Sequence, residues 1–237
     1  MLLPVVLAAC GGSSSTAVGG DPVATAADAT AQQASEKTDV QATIDLAGQK
    51  LTLGGSGAFD KARDGMLHLA FTLPGVGSSK LDEVFRGNVV WISSPLLTST
   101  LNGKTWAKLD LGKQAKALGF NLAVLTGQTP SAALSVLRLP ASGSVTTVGK
   151  DTIDGVETTH YRKELGGAKA SGNTYNSVDA WVDGRNLVRK LQLDYGASID
   201  PTSKEPAHTV VTMTLSGFGT PVTATPPAAV DTGELGG

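Results

Sequence analysis

From Thr174 to Tyr195 apolar and polar positions alternate with a period of two. Val178, Ala180 and Val182 interleave with Ser177, Asp179, Trp181 and Asp183, and Leu187, Leu191 and Leu193 interleave with Val188, Lys190, Gln192 and Asp194. Side chains of a strand point alternately to its two faces, so both runs predict strands. Between them lies Asp183-Gly184-Arg185-Asn186. Asp-Gly is a strong hairpin signal, because Gly accepts the positive φ of a tight turn. A hairpin alone is marginal in water, and this one requires neighbours. The same period supplies them. Val40, Ala42, Ile44 and Leu46 predict one strand, Leu51, Leu53 and Phe59 the next, and Leu67, Leu69, Phe71 and Leu73 a third. Leu81–Phe85, Val89–Ser93, Lys104–Leu111, Val145–Val148, Val156–Leu165 and Thr209–Leu215 continue the series. Gly54, Gly55 and Gly57 fall inside the second strand. Glycines there mark bends or bulges, so the sheet is expected to be strongly curved.

Helical signals are few. Asp21-Pro22 offers an N-cap with Pro at the first helical position, and Ala-rich sequence runs on to about Lys37. Thr129-Pro130-Ser131 looks like a second start, with Ala132–Leu139 as its body. Two apolar inserts interrupt the strands: Pro95–Leu101, and the region of Leu118, Phe120, Leu122, Val124, Leu125, Leu134, Leu137 and Leu139. They either pack as solid core on a face of the sheet or cover a groove without filling it. The expected fold class is mainly β with a few helices (α+β), built on a strongly curved antiparallel sheet with helices covering its concave face.

Composition narrows the function more than the fold. The 237 residues fit one domain, and 29 Gly and 11 Pro suit many short strands divided by turns. A net charge of -2 with no basic cluster excludes a nucleic-acid partner. One Cys excludes an internal disulfide framework or a cysteine-rich zinc site, and none of His68, His160 and His208 has a second His or Cys at ligand spacing, so no metal and no cofactor are expected. His160 reads as a structural or solvent-facing residue. The chain has no Gly-x-Ser-x-Gly elbow, and Ser142 falls in a loop segment, so no catalytic residues are assigned and the protein is read as a non-enzyme.

At the N-terminus Leu7-Ala8-Ala9-Cys10 resembles a bacterial lipobox, whose thiol carries diacylglycerol after cleavage. Residues 1–9 then read as part of a signal peptide whose basic region is missing, which places the expected start upstream. Residues 10–21, with Gly11-Gly12-Ser13-Ser14-Ser15, read as a flexible linker anchored through Cys10. Residues 22–222 read as the folded domain and 223–237, with Pro226-Pro227, as a disordered tail.

Four segments in fixed order carry a resemblance. Gly103-Lys104-Thr105-Trp106, Gly155-Val156-Glu157-Thr158-Thr159-His160-Tyr161-Arg162, Ala180-Trp181-Val182-Asp183 and Phe218-Gly219-Thr220-Pro221-Val222, together with the lipobox, resemble the LppX/LprAFG family of actinobacterial envelope lipoproteins. The resemblance implies a half-barrel of about ten strands, similar to the LolA and LolB carriers, with helices across its mouth. It also implies long-chain lipid as the partner, a lipid anchor on the extracytoplasmic face of the cell membrane, and transport of lipid or lipoprotein with other envelope proteins. The candidate lining is Leu69, Phe71, Val90, Ile92, Leu97, Leu101, Phe120, Leu122, Leu134 and Leu137. The same architecture occurs in regulators such as RseB, which leaves open a sensing module with a filled hollow that docks proteins on an edge strand.

Overall fold

The computed structural model describes residues 20–46, 48–73, 77–110, 129–197 and 206–234. Its elements in chain order are α1 (Pro22–Ala31), β1 (Ser35–Leu46), β2 (Gln49–Asp60), β3 (Gly65–Leu73), β4 (Gly77–Arg86), β5 (Val89–Ser93), a 3₁₀ turn (Pro95–Leu97), β6 (Trp106–Asp110), α2 (Pro130–Leu137), β7 (Thr146–Ile153), β8 (Val156–Ala170), β9 (Asn173–Asp183), β10 (Val188–Ala197), β11 (Ala207–Ser216), a second 3₁₀ turn (Ala229–Asp231) and β12 (Thr232–Glu234). The strands form one sheet in the order β12-β6-β5-β4-β3-β2-β1-β11-β10-β9-β8-β7. Every pairing is antiparallel except β12 with β6. The sheet stays open, with β7 and β12 at its edges, and has twelve strands where about ten were expected.

Curvature is written into β2. Gly55 pairs with Val40 and Leu69, and Gly57 with Thr38 and Leu67, so both glycines sit in inward-facing rows. A Cβ on Gly55 would lie 1.9 Å from the His68 carbonyl oxygen, and one on Gly57 2.2 Å from that of Met66. Only glycine lets the backbones approach so closely, and the sheet bends there.

Asp21 caps α1 as its sequence predicts, its Oδ1 accepting the Val23 and Ala24 amides at 2.9 and 3.0 Å. The helix ends at Ala31 and does not reach Lys37. From Ser35 onward the chain is taken up between β2 and β11, with Lys37 opposite both Ala58 and Ser216, and two ladders of hydrogen bonds outweigh local helix propensity. The β9–β10 turn departs from expectation too. Asn186 adopts the left-handed conformation at φ 62°, a conformation Asn tolerates, and Gly184 does not. Asp183 holds the turn, its Oδ1 accepting the Arg185 and Leu187 amides and its Oδ2 the Arg189 guanidinium at 2.8 Å.

The tail beyond 223 is a correction. Ala224 is buried and its carbonyl accepts from Arg86 Nη1 at 3.1 Å, Val230 O accepts from Lys104 Nζ, and β12 pairs with Trp106–Lys108. Covering the β6 edge satisfies backbone groups that would otherwise offer a template for aggregation.

Both helices lie on the concave face. Val23, Ala26 and Ala27 of α1 and Leu134 and Leu137 of α2 join Val40, Leu67, Leu191 and Met213 in one apolar cluster. Lys163 of β8 is fully buried and donates to Asp21 Oδ2 and, at 3.0 Å, to the Leu137 carbonyl, so one cation ties the start of α1 and the end of α2 to the sheet. Each contact complements a helix dipole. Arg138 adds an ion pair to Asp28 at 2.6 Å between the helices.

Candidate ligand-binding site

The residues expected to line a hollow mostly meet in packed core. Leu69 points inward from β3, Val90 and Ile92 from β5, and Leu134 and Leu137 from α2; none exceeds 4% exposure. Leu101 is buried as well, while Phe71 and Leu97 are partly buried against the same cluster. Phe120, Leu122 and Cys10 lie outside the described residues. Of the described members of the set, Leu134 lines the pocket of about 510 Å³ at one end of the concave face.

That pocket is assembled from the α1–β1 connection, the β2–β3 and β4–β5 turns and α2. Phe59, Phe85 and Leu134 form its apolar floor, continuous with the core. Phe59 and Phe85 touch at 5.4 Å between ring centroids with planes tilted by 58°. Gly65, opposite both in the register, makes room for them, since a Cβ there would lie 2.4 Å from the Phe59 ring.

The wall is polar. Glu36 is 8% exposed and its carboxyl has neither a hydrogen bond nor an ion pair among the described residues; burial, then the nearby Asp60 carboxylate, raises it to about 7. Lys61 Nζ is engaged by Gln32 Oε1 at 2.8 Å and Arg138 by Asp28, whereas the exposed Arg63 side chain has no partner among the described residues. Arg63 sits at φ 70° in the β2–β3 turn, where its amide donates to the Asp60 carbonyl at 3.0 Å. On α2 the Thr129 side chain does not cap the helix, and the Ser131 and Ala132 amides at the pocket wall meet no side-chain acceptor among the described residues.

Behind the floor lies a second acid. Glu83 follows the inward row of β4, two residues before Phe85 and between Leu67 and Ile92. It is completely buried, neither carboxyl oxygen has a partner, and burial raises it to about 8, so it is largely protonated at neutral pH. The signal was legible: a charge inside the apolar stripe Leu81, Glu83, Phe85. No local pattern announces Glu36, Phe59 or Phe85 as neighbours, because they lie on three different strands, β1, β2 and β4.

The histidines face away from this pocket and each pairs with an aspartate. His160 Nε2 and Asp179 Oδ1 are 2.7 Å apart, His68 and Asp82 2.7 Å, and His208 and Asp194 3.3 Å. His160 also stacks on Trp181 at 4.1 Å with planes 8° apart, the structural setting expected of it. Among the described residues no group of three or more His, Cys, Asp or Glu is placed to hold a metal ion.

No family model matches the chain. A candidate lipoprotein of Streptomyces coelicolor is 32% identical over 141 residues, which cover 57% of this chain and 44% of that protein, so the chain spans less than half the length of this relative. The crystal structure of the lipoprotein LppX of Mycobacterium tuberculosis aligns with 87% of this chain over its full length, with a TM-score of 0.50 and 15% identity. The chain has the fold of LppX. LprF of Mycobacterium bovis aligns over 88% of this chain and 96% of its own, with a TM-score of 0.49 and 13% identity. At such identity the likeness to LppX is one of fold, which agrees with the open curved sheet.

Proposed function

We propose that the protein is a lipid-anchored lipoprotein of the cell envelope that holds an acyl chain at the mouth of its concave face and carries lipid without transforming it. The observation that carries this reading is the pocket of about 510 Å³ with Phe59, Phe85 and Leu134 as its floor, a size within the roughly 300–1,000 Å³ usual for ligand sites. A chain of about sixteen carbons gains on the order of 12 kcal/mol from burial before association costs, so affinity needs no elaborate polar site. The LppX fold supports the same reading. No helix among the described residues is long and apolar enough to cross a membrane, and Cys10 with its linker provides the attachment.

Native mass spectrometry after gentle extraction should find bound lipid, and a fluorescent acyl probe should be taken up; protein free of lipid that takes up no probe sinks the proposal. Anchoring has its own test. Cys10→Ala, expressed behind a complete signal peptide, should leave the membrane fraction, and continued partitioning without detergent would show another mode of attachment. The packed middle of the concave face favours a second reading, an RseB-type module that docks proteins on an edge strand. A partner captured equally well by lipid-free and lipid-loaded protein would support it.

A further inference from the structure

The wall of the pocket carries acids on one side and donors on the other. Among the described residues its carboxyls, Glu36 and Asp60, have no ion pair; Asp60 Oδ1 accepts the Asp64 amide at 2.9 Å, while the Glu36 side chain is more than nine-tenths buried with no hydrogen-bond partner. A buried acid left without a partner is costly, and each such group calls for one. Across the same pocket lie donors that meet no side-chain acceptor among the described residues: the Ser131 and Ala132 amides in the first turn of α2 and the guanidinium of Arg63. A helix N-terminus and a guanidinium are complementary to phosphate, and a carboxylate is complementary to an ammonium that carries N–H donors. Both sets border one pocket whose floor is Phe59, Phe85 and Leu134, residues suited to the first carbons of an acyl chain.

We infer that the pocket selects a zwitterionic phospholipid with a primary amine, placing its ammonium at Glu36 and Asp60 and its phosphate at the start of α2 and Arg63. This rests on the lipid-binding reading and adds a headgroup preference to it. A quaternary ammonium lacks the N–H donors that Glu36 can accept, and a glycerol headgroup lacks the charge. The order of affinity is therefore phosphatidylethanolamine, then phosphatidylcholine, then phosphatidylglycerol.

The test is displacement of a bound fluorescent acyl probe from the full-length protein by these three lipids with identical acyl chains. Phosphatidylethanolamine should displace the probe at a concentration roughly tenfold or more below phosphatidylglycerol, the effect of one charge-assisted hydrogen bond. Glu36→Gln, a neutral isostere that keeps the fold, should abolish the preference while all three lipids still compete. Arg63→Gly suits the positive φ at that position and should weaken all three alike. Soluble phosphoethanolamine should not compete, since it has no chain to bury. Equal displacement by the three lipids, an unchanged preference in Glu36→Gln, or efficient competition by phosphoethanolamine overturns the headgroup assignment while leaving lipid binding intact. Failure to bind any acyl probe overturns both.

Discussion

The two limbs of the sheet treat buried polar groups differently. In the limb from β8 to β11, Lys163 meets Asp21 and the Leu137 carbonyl, Asp179 meets His160 and Arg162, Asp183 meets Arg189 and two amides, and Thr209 meets the Ala207 carbonyl. In the limb from β1 to β5, Thr38 Oγ1 and both oxygens of Glu83 are buried without a partner, and the Glu36 carboxyl beside Asp60 has no hydrogen bond among the described residues. Asn173 Oδ1 is the orphan on the opposite limb. Satisfied networks make a rigid wall, whereas unsatisfied groups destabilise the native state and persist where another requirement holds them. The pocket lies on the unsatisfied limb. One limb serves as scaffold, and the other gives up stability beside the pocket.

The largest expected effect tests that cost directly. Glu83 is raised from 4.5 to about 8 by burial. Below the lower value both folded and unfolded chains hold the proton. As pH rises between the two values, the unfolded chain releases its proton and the folded chain does not, so stability falls across that window and levels off above the upper value. At about 1.4 kcal/mol per pH unit the full loss is roughly 5 kcal/mol. Glu83→Gln removes the titration. Urea unfolding should find the variant increasingly more stable than its parent as pH rises from acidic to mildly alkaline; a difference independent of pH would show that the acid is not held neutral in the fold.

Next comes the scaffold limb. Removing one partner of a buried ion pair typically costs about 3–5 kcal/mol, because the other partner is stranded. Lys163→Ala should fall in that range, as it strands Asp21 and the Leu137 carbonyl and frees an end of each helix. Combining Lys163→Met with Asp21→Asn should recover a good part of the loss. A loss under about 1 kcal/mol for Lys163→Ala, the scale of an exposed pair, would mean that Lys163 adds little to the other contacts that hold the helices.

Period-two alternation made the scaffold limb readable. Val178, Ala180 and Val182 do face the core, and Asp183 does close the hairpin, although the left-handed residue is Asn186. The curvature was readable from Gly55 and Gly57, because only a close approach of strands needs glycine at those points. The start of α1 was readable from Asp21-Pro22, but its end was not, since Ser35 and Lys37 become strand through partners distant in sequence. The site was the least readable. Leu69, Val90 and Ile92 share the inward faces that alternation assigns them, yet alternation cannot tell a lined hollow from a filled one. That depends on how α1 and α2 sit, which is set by long-range contacts such as Lys163 with Asp21.

The smallest effect on stability separates filled from open space. Leu137 is fully buried, whereas Ser135, two residues earlier on the same helix, is exposed at the pocket wall with its Oγ donating to the Ala132 carbonyl at 2.6 Å. Leu137→Trp must fit a larger side chain into packed core and should cost about 1–3 kcal/mol. Ser135→Trp adds its indole over open pocket and should change stability by less than about 0.5 kcal/mol, as exposed substitutions usually do. Probe uptake should respond in the opposite order: Ser135→Trp loses most of it, and Leu137→Trp, once folded below its unfolding transition, keeps it. If Leu137→Trp blocked uptake at unchanged stability, the hollow would extend under α2 where core now appears solid, and the assignment of filled and open regions would be reversed.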